Sequence, residues 1–345
     1  MFPSAARCFP GMVPPYAVLC YHNEISRQIP ADMKNNRTEF IPRFNLTLCF
    51  PRYWMTWTGI GIICVSAMVP PTLRDPLLGK LGTLVGRLGK SARQRALINL
   101  SLCFPEYSDK KKENIVDAMF ATAPMAVVLM AELALAGPDK ISHRICWNGL
   151  EIVEKMAQNN EKVIFLVPHA WGVDIPAMLM AASGRKIAAM FHNQKNPVVD
   201  YVWNSVRRRF GGRLHARNDG IGPFVRSVRQ GYWGYYLPDQ DHGPEFSEFA
   251  DFFATYKATL PVTGRLSRIS GARIIPLFPV YDRKTHQLTI HVSPPLAIRQ
   301  ESDAHIARQI NEVVENFVRP YPEQYTWILK LLKTRKEGEE DPYCS

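Results

Sequence analysis

The sequence lacks the residue spacings that identify several common classes of protein. Its seven cysteines are never separated by only two residues, so they predict neither a zinc site nor a disulfide framework. No G-x-S-x-G or H-E-x-x-H pattern occurs, which argues against a serine hydrolase and a zinc protease of those types. We therefore expect no metal and no cofactor, and a reducing compartment for the main domain.

A secretory signal is also missing from the amino-terminal region. Residues 1–32 carry scattered proline and cysteine, without a basic stretch followed by a long apolar one. We interpret residues 1–32 as a non-native or disordered extension, with translation beginning at Met33. Residues 33–52 form a polar, charged segment.

One uncharged apolar run follows, YWMTWTGIGIICVSAMV, with aromatic side chains at its start. Aromatic residues of this kind are enriched at the bilayer interface. The run predicts a transmembrane or membrane-anchoring helix over residues 53–70, although it is slightly shorter than the roughly 20 residues that a full span needs. A re-entrant or buried helix is the alternative. Basic residues downstream favour a cytoplasmic domain over residues 71–345.

Two further segments combine leucine with basic residues at helical spacing. From Asp75 the pattern predicts a helix, which either lies on a membrane surface or packs on the core; the sequence leaves both open. Lys110 to Leu135 predicts another helix or two, divided near Pro124. Residues 327–336 predict a carboxy-terminal amphipathic helix with the same two alternatives.

After Gly149, predicted strands alternate with predicted helices. The run Val163–Val167 is wholly apolar, as in a strand that is covered on both faces. Further strands are predicted at 186–191, 232–237, 273–281 and 288–292, with helices at 174–182, 198–210 and 304–317. This alternation predicts an α/β sheet domain.

His169 follows directly on the buried strand, where sites in open α/β sheets tend to lie, and Asp174 stands five residues further on. We expect His169 in the loop and Asp174 in the first turn of the next helix, where the helix dipole favours a carboxylate. Asp174 would then hold one imidazole nitrogen while the other takes a proton from a hydroxyl. A structural hydrogen bond is the alternative for an isolated pair.

The motif H-x4-D is that of the glycerolipid and lipid A acyltransferases. The segments EFIPRFN, CFPRYW, RALINLSLCFPE, VIFLVPHAWGVDIPAMLMA, RRRFGGRLHARNDG, GYWGYYLPDQDHGP and PEQYTWILKLLKTRK resemble the late acyltransferases of lipid A biosynthesis, of the myristoyl-transferring type. The resemblance extends from Met33 to about Pro342. It implies a glycerolipid-acyltransferase-like sheet flanked by helices, a single-pass amino-terminal anchor in the inner membrane and a catalytic domain on the cytoplasmic face.

The resemblance also implies the reaction and its partners. Acyl carrier protein donates a fatty-acyl chain, myristoyl by resemblance, to the hydroxyl of a 3-hydroxyacyl chain on a lauroylated, Kdo-bearing lipid IVA. His169 and Asp174 are the implied catalytic pair. Asp239 is implied to be important, and a functional arginine is expected at Arg209 or Arg208. The basic, glycine-containing stretch that includes Arg217 suits phosphate or carboxylate groups.

Two other functions remain to be weighed. A hydrolase or thioesterase would use the same His–Asp pair with water as the acceptor. The net charge of +11 also suits nucleic acid, but residues 207–220 offer only Phe210 and His215 for stacking on bases, so we expect no nucleic-acid partner.

Overall fold

The computed structural model describes residues 39–298 and 301–344, so the predicted extension over 1–32 lies outside the described residues. Its helices are α1 (Trp54–Met68), α2 (Pro71–Leu88), α3 (Lys90–Cys103), α4 (Asp109–Ala136), α5 (Pro138–Ile141), α6 (Leu150–Gln158), α7 (Asp174–Ala182), α8 (Pro197–Arg207), α9 (Gly222–Arg229), α10 (Val262–Ser270) and α11 (Asp303–Val318). Its strands are β1 (Ile145–Asn148), β2 (Val163–Leu166), β3 (Ile187–Phe191), β4 (Arg213–Ala216), β5 (Trp233–Tyr236), β6 (Glu248–Phe252), β7 (Thr255–Thr259), β8 (Arg273–Asp282) and β9 (Gln287–Val292).

A seven-stranded sheet organises the domain, in the order β1-β9-β8-β2-β5-β3-β4. All its pairings are parallel except that of β8 with β9. Strands β6 and β7 form a separate antiparallel pair. The predicted α/β class is therefore confirmed, as a mostly parallel sheet flanked by helices.

The central strand β2 is buried on both faces, as its apolar sequence predicts. Ile164 and Leu166 join the hydrophobic cluster on one face of the sheet, and Val163 and Phe165 join the cluster on the other. Period-two alternation of side chains places consecutive residues of a strand in opposite layers. This rigid centre fixes the position of the loop that follows β2.

Helix α4 does not divide at Pro124 as predicted, and it continues through the proline for 28 residues. Proline removes the N–H that would bond the Phe120 carbonyl. That carbonyl faces Gly82 of α2, where a Cβ would overlap it. Helix α2 thus packs closely against α4 at the carbonyl that the proline leaves without its helical donor.

The predicted anchor corresponds to α1, which has 15 residues and is shorter than a bilayer span. Among the described helices, α4 alone is long and apolar enough to cross a membrane, and 67% of its most apolar window is buried inside the protein. Helix α4 is thus a core helix of the domain. The anchoring part of the prediction is not confirmed by these helices.

A buried arginine ties α1 to the domain. The Arg74 guanidinium donates to the carbonyls of Ser66, Ala67 and Val69 at 3.1–3.2 Å, at the carboxyl end of α1. It also donates to Glu132 of α4 at 2.5 Å. These bonds satisfy carbonyls that the end of a helix leaves unpaired and fix α1 and α2 against α4.

The carboxy-terminal segment is not the predicted amphipathic helix. Residues 327–336 run as turns, with Trp327, Leu331 and Leu332 fully buried. The Asn99 amide of α3 donates to the carbonyls of Trp327 and Leu329 at 2.6 and 2.8 Å. Side chains of α3 therefore satisfy carbonyls that a helix would have paired internally.

Candidate active site

Two neighbouring parallel strands bring the candidate site together. β2 pairs with β5 in parallel register, so both strands end at the same edge of the sheet. His169 lies three residues beyond the end of β2, and Asp239 lies three residues beyond the end of β5. Residues 70 positions apart in the chain therefore meet above the sheet edge.

The carboxylate of Asp239 holds His169 at two points. Nδ1 of His169 lies 2.5 Å from Oδ1 of Asp239, and the backbone N–H of His169 donates to Oδ2 at 2.8 Å. Asp239 is 1% exposed, whereas the His169 side chain is 19% exposed. Among the described residues, none hydrogen-bonds Nε2 of His169. The arrangement fixes the ring and leaves Nε2 for a reacting group.

The charge state of Asp239 follows from its surroundings. Burial pushes the pKa of this carboxyl upward, but the charge and hydrogen bonds of His169 outweigh burial and hold the pKa below its ordinary value of 3.8. A depressed folded pKa means that ionised Asp239 contributes stability above pH 3.8, which is lost as the pH falls through the folded value. Asp239 is therefore an anion under neutral conditions.

The structure corrects the predicted pairing of Asp174 with the imidazole. Asp174 begins α7, as predicted, but its oxygens accept from Nε and Nη2 of Arg207 at 2.9 and 3.1 Å. Trp203 Nε1 donates to the same carboxylate at 3.0 Å. Asp174 thus binds two side chains of α8, and Asp239 takes the position beside His169.

The carboxy-terminal segment supports the loop of His169 from outside. Thr326 N–H donates to the His169 carbonyl at 3.0 Å, and Ala170 forms a β-bridge with Tyr325. The buried hydroxyl of Tyr325 faces Asp239, outside ordinary hydrogen-bond geometry. Burial and the charge of Asp239 raise the pKa of Tyr325 well above its ordinary value. The segment PEQYTW carries part of the family resemblance, but no local pattern predicts where Tyr325 lies.

Lys257 of β7 is a second residue near the site that no sequence pattern marks. It is 1% exposed. Burial lowers the pKa of its ammonium, and the charges of Asp239 and Asp241 oppose that change. A single lysine in a short strand gave no signal in the sequence, because its burial depends on packing of the β6–β7 pair.

The predicted arginines occupy three different places. Arg217 Nη2 lies 2.9 Å from Nδ1 of His242, and Nη1 donates to Gln240, in the loop that contains Asp239. Arg208 binds Glu39 and the Phe40 carbonyl at 2.6 and 2.8 Å.

Arg209 is directed to another part of the domain. It donates from Nε to the Ala134 carbonyl at the end of α4, at 3.1 Å. Of the predicted arginines, Arg217 alone is seen bound to the Asp239 loop.

Comparison with known proteins adds to this geometry. A family model described as bacterial lipid A biosynthesis acyltransferase matches residues 41–334. The chain belongs to this family. The match includes His169, Asp174 and Asp239, and it identifies the protein as an acyltransferase.

Curated relatives of this acyltransferase come from several bacteria. The chain is 67% identical over 313 residues to the lipid A biosynthesis myristoyltransferase of Escherichia coli, covering 90% of the chain and 97% of that protein. It is 40% identical over 304 residues to a lipid A biosynthesis acyltransferase of Haemophilus influenzae, covering 88% of the chain and 95% of that protein. It is 30% identical over 316 residues to the E. coli lauroyltransferase, covering 88% of the chain and 99% of that protein.

In this acyltransferase, the contributions of Asp174 and Arg207 to the free energy of unfolding are expected to be coupled. Asp174→Asn and Arg207→Gln should each lower the free energy of unfolding by about 2 kcal/mol, because each leaves a largely buried charge unpaired. The double variant should lose little more than either single variant. Denaturant unfolding measures all three, with the exposed Glu312→Gln as the control that changes stability little. Additive losses would show that the two side chains are not coupled.

Proposed function

We propose that the protein transfers a myristoyl chain from acyl carrier protein to the hydroxyl of a 3-hydroxyacyl chain on a lauroylated, Kdo-bearing lipid A precursor. The observation that carries the proposal is the 2.5 Å contact between His169 Nδ1 and Asp239, which leaves Nε2 for the acceptor hydroxyl. The likeness to the E. coli myristoyltransferase supports the choice of acyl chain. No metal or other cofactor takes part in the proposed steps.

The proposed chemistry begins with proton transfer. Nε2 of His169 takes the hydroxyl proton while the oxygen attacks the thioester carbonyl carbon. The C–O bond forms, the tetrahedral intermediate collapses and the C–S bond breaks. The imidazolium returns its proton to the leaving thiolate of the carrier. Asp239 stabilises the imidazolium throughout, as a buried anion on Nδ1 does in hydrolytic triads.

Binding of the anionic substrates is assigned to basic side chains. Arg217 lies on the Asp239 loop, so we propose that it binds an acidic group of the acceptor or stabilises charge on the intermediate. Arg208 and Arg209 remain predicted contacts for the same substrates. Asp174, through its pair with Arg207, is proposed to position the α8 end of the site.

We further propose that α1 and α2 contact the cytoplasmic face of the inner membrane. One face of α2 carries five leucines that are each more than half exposed: Leu73, Leu77, Leu81, Leu84 and Leu88. Met55, Ile62, Val65 and Met68 of α1 are exposed in the same way. Apolar surface of this extent on a basic protein suits an interfacial bilayer contact. A single-pass anchor remains a prediction.

The test combines the purified protein, myristoyl-acyl carrier protein and the lauroylated precursor in mixed micelles. Mass spectrometry should show the precursor gain one myristoyl chain, with free carrier thiol formed in equal amount. Free myristate without acylated precursor would instead establish a hydrolase. Lauroyl-acyl carrier protein serves as the competing donor. A product that carries laurate in preference to myristate would show that the transferred chain is lauroyl and not myristoyl.

A further inference from the structure

A cavity of about 520 Å³ lies between α2 and α4, and neither His169 nor Asp239 lines it. Its apolar wall includes Pro76, Leu84 and Met125. Its rim carries the cations Lys80 and Arg87 from α2 and Arg283 from the turn between β8 and β9. An apolar wall below a basic rim suits an amphiphile whose charged group stays at the mouth.

Two of these cations have no partner in the part of the chain that the structure describes. Lys80 and Arg283 are exposed, and no described side chain forms an ion pair with either. Arg87 differs, since it binds Asp117 at 2.7 Å. Two unpaired cations beside one cavity favour an anion there.

The one acidic residue of the cavity does not neutralise these cations. Asp75 is 1% exposed, and its Oδ2 lies 2.8 Å from His286 Nδ1 and accepts from the Tyr281 hydroxyl. Its Oδ1 accepts from Arg74 at 3.3 Å. Both carboxylate oxygens are thus occupied by cationic or polar partners, and the mouth of the cavity keeps a positive charge.

The exposed leucine face of α2 adjoins the cavity. Leu84 belongs to both, and Lys80 lies between Leu77 and Leu81 along the helix. Residues three and four apart share a helix face, so Lys80 lies on the same face of α2 as Leu77 and Leu84. A lipid whose chains lie against the leucines would bring its headgroup to Lys80 and Arg283.

The cavity also lies toward the edge of the sheet that holds His169. β8 runs parallel to β2, and its Pro276 pairs with Leu166, the last residue of β2. β8 continues for six residues beyond Pro276. A Cβ on Gly172, in the His169 loop, would come within 3.8 Å of Pro279. Arg283 follows Pro279 by four residues, which is about 13 Å along an extended strand.

We propose that this cavity binds the phosphate-bearing headgroup of a membrane lipid whose chains lie against α2. The inference rests on the proposed membrane contact of α1 and α2. The phosphate belongs either to the lipid A precursor or to a bulk glycerophospholipid. Two cations on separate elements would recognise it in both cases.

The test uses the full chain and the double variant Lys80→Gln/Arg283→Gln. Isothermal titration with the lauroylated precursor in micelles measures affinity for the acceptor without turnover. Flotation with vesicles of phosphatidylglycerol and phosphatidylcholine in equal amounts measures affinity for bulk phospholipid. The control Lys110→Gln/Arg226→Gln removes the same charge from exposed positions outside the cavity.

The double variant should lose about tenfold in one of the two affinities, in line with removal of charge-assisted hydrogen bonds, and the control should lose less than about twofold. Loss of precursor affinity assigns the headgroup to the acceptor, and loss of vesicle affinity alone assigns it to glycerophospholipid. Equal behaviour of the double variant and its control in both measurements overturns the proposal. Neither measurement requires acyl transfer, so failure of the proposed reaction would be seen separately.

Discussion

His169→Ala is expected to lower the rate of acyl transfer by roughly two to four orders of magnitude, the range that general acid–base groups contribute. Nε2 is the group on His169 that is left for the acceptor hydroxyl, and its ring is held by Asp239 at 2.5 Å. Alanine removes the base and leaves the backbone N–H that Asp239 also binds. The fold should therefore survive the change.

The measurement is the initial rate of precursor acylation by mass spectrometry, with thermal unfolding as a check on the fold. His305→Ala is the matched control, because His305 is exposed at the start of α11 and its side chain pairs only with Glu301 among the described residues. It should change the rate by less than about twofold, as surface substitutions away from a site usually do. A His169→Ala enzyme with the rate of the wild type would remove His169 from the mechanism.

The position of His169 at the sheet edge could be predicted for a local reason. The run Val163–Val167 is wholly apolar, which fixes a doubly covered strand and places the next polar residue at the sheet edge. The same reasoning applies to Asp239, which follows β5, but the resemblance alone singles out this residue within its loop. That the two strands are neighbours is a fact of topology, because β5 inserts between β2 and β3. No local pattern reports it.

The structure gives His169 a different partner from the predicted one, because residues close in sequence need not be close in space. Asp174 stands five residues after His169, but α7 directs its carboxylate to α8. The arginine triplet shows the same limit. α8 ends at Arg207, so three consecutive arginines turn to three different parts of the domain. Their directions depend on where the helix ends, and the sequence predicted that end three residues late.

Elements with weak local signals were also missed. β4 has the sequence RLHA, which indicates only a basic stretch, although Leu214 and His215 are buried in the strand. The carboxy-terminal segment has helical spacing, yet Asn99 and Arg95 of α3 bind its carbonyls instead. In both cases packing against distant elements decides the conformation, and propensity alone does not.

Asp239→Asn is expected to lower acyl transfer by about 10⁴-fold, the effect of the same change at the buried aspartate of a serine protease triad. The amide cannot stabilise the imidazolium by charge. It also presents a donor to Nδ1, which favours the wrong tautomer of the ring. Burial is complete around Asp239, so water cannot replace the lost interaction.

A matched control lies two residues further along the same loop. Asp241 accepts from the backbone N–H and the hydroxyl of Thr334, each at 2.7 Å, and does not bind His169. Asp241→Asn should therefore lower stability more than rate, with acyl transfer within about tenfold of the wild type. The two variants distinguish the carboxylate of Asp239, which acts on His169, from that of Asp241, which fixes the loop. If both variants lost activity equally, the carboxylate of Asp239 would be acting through loop structure and not through His169.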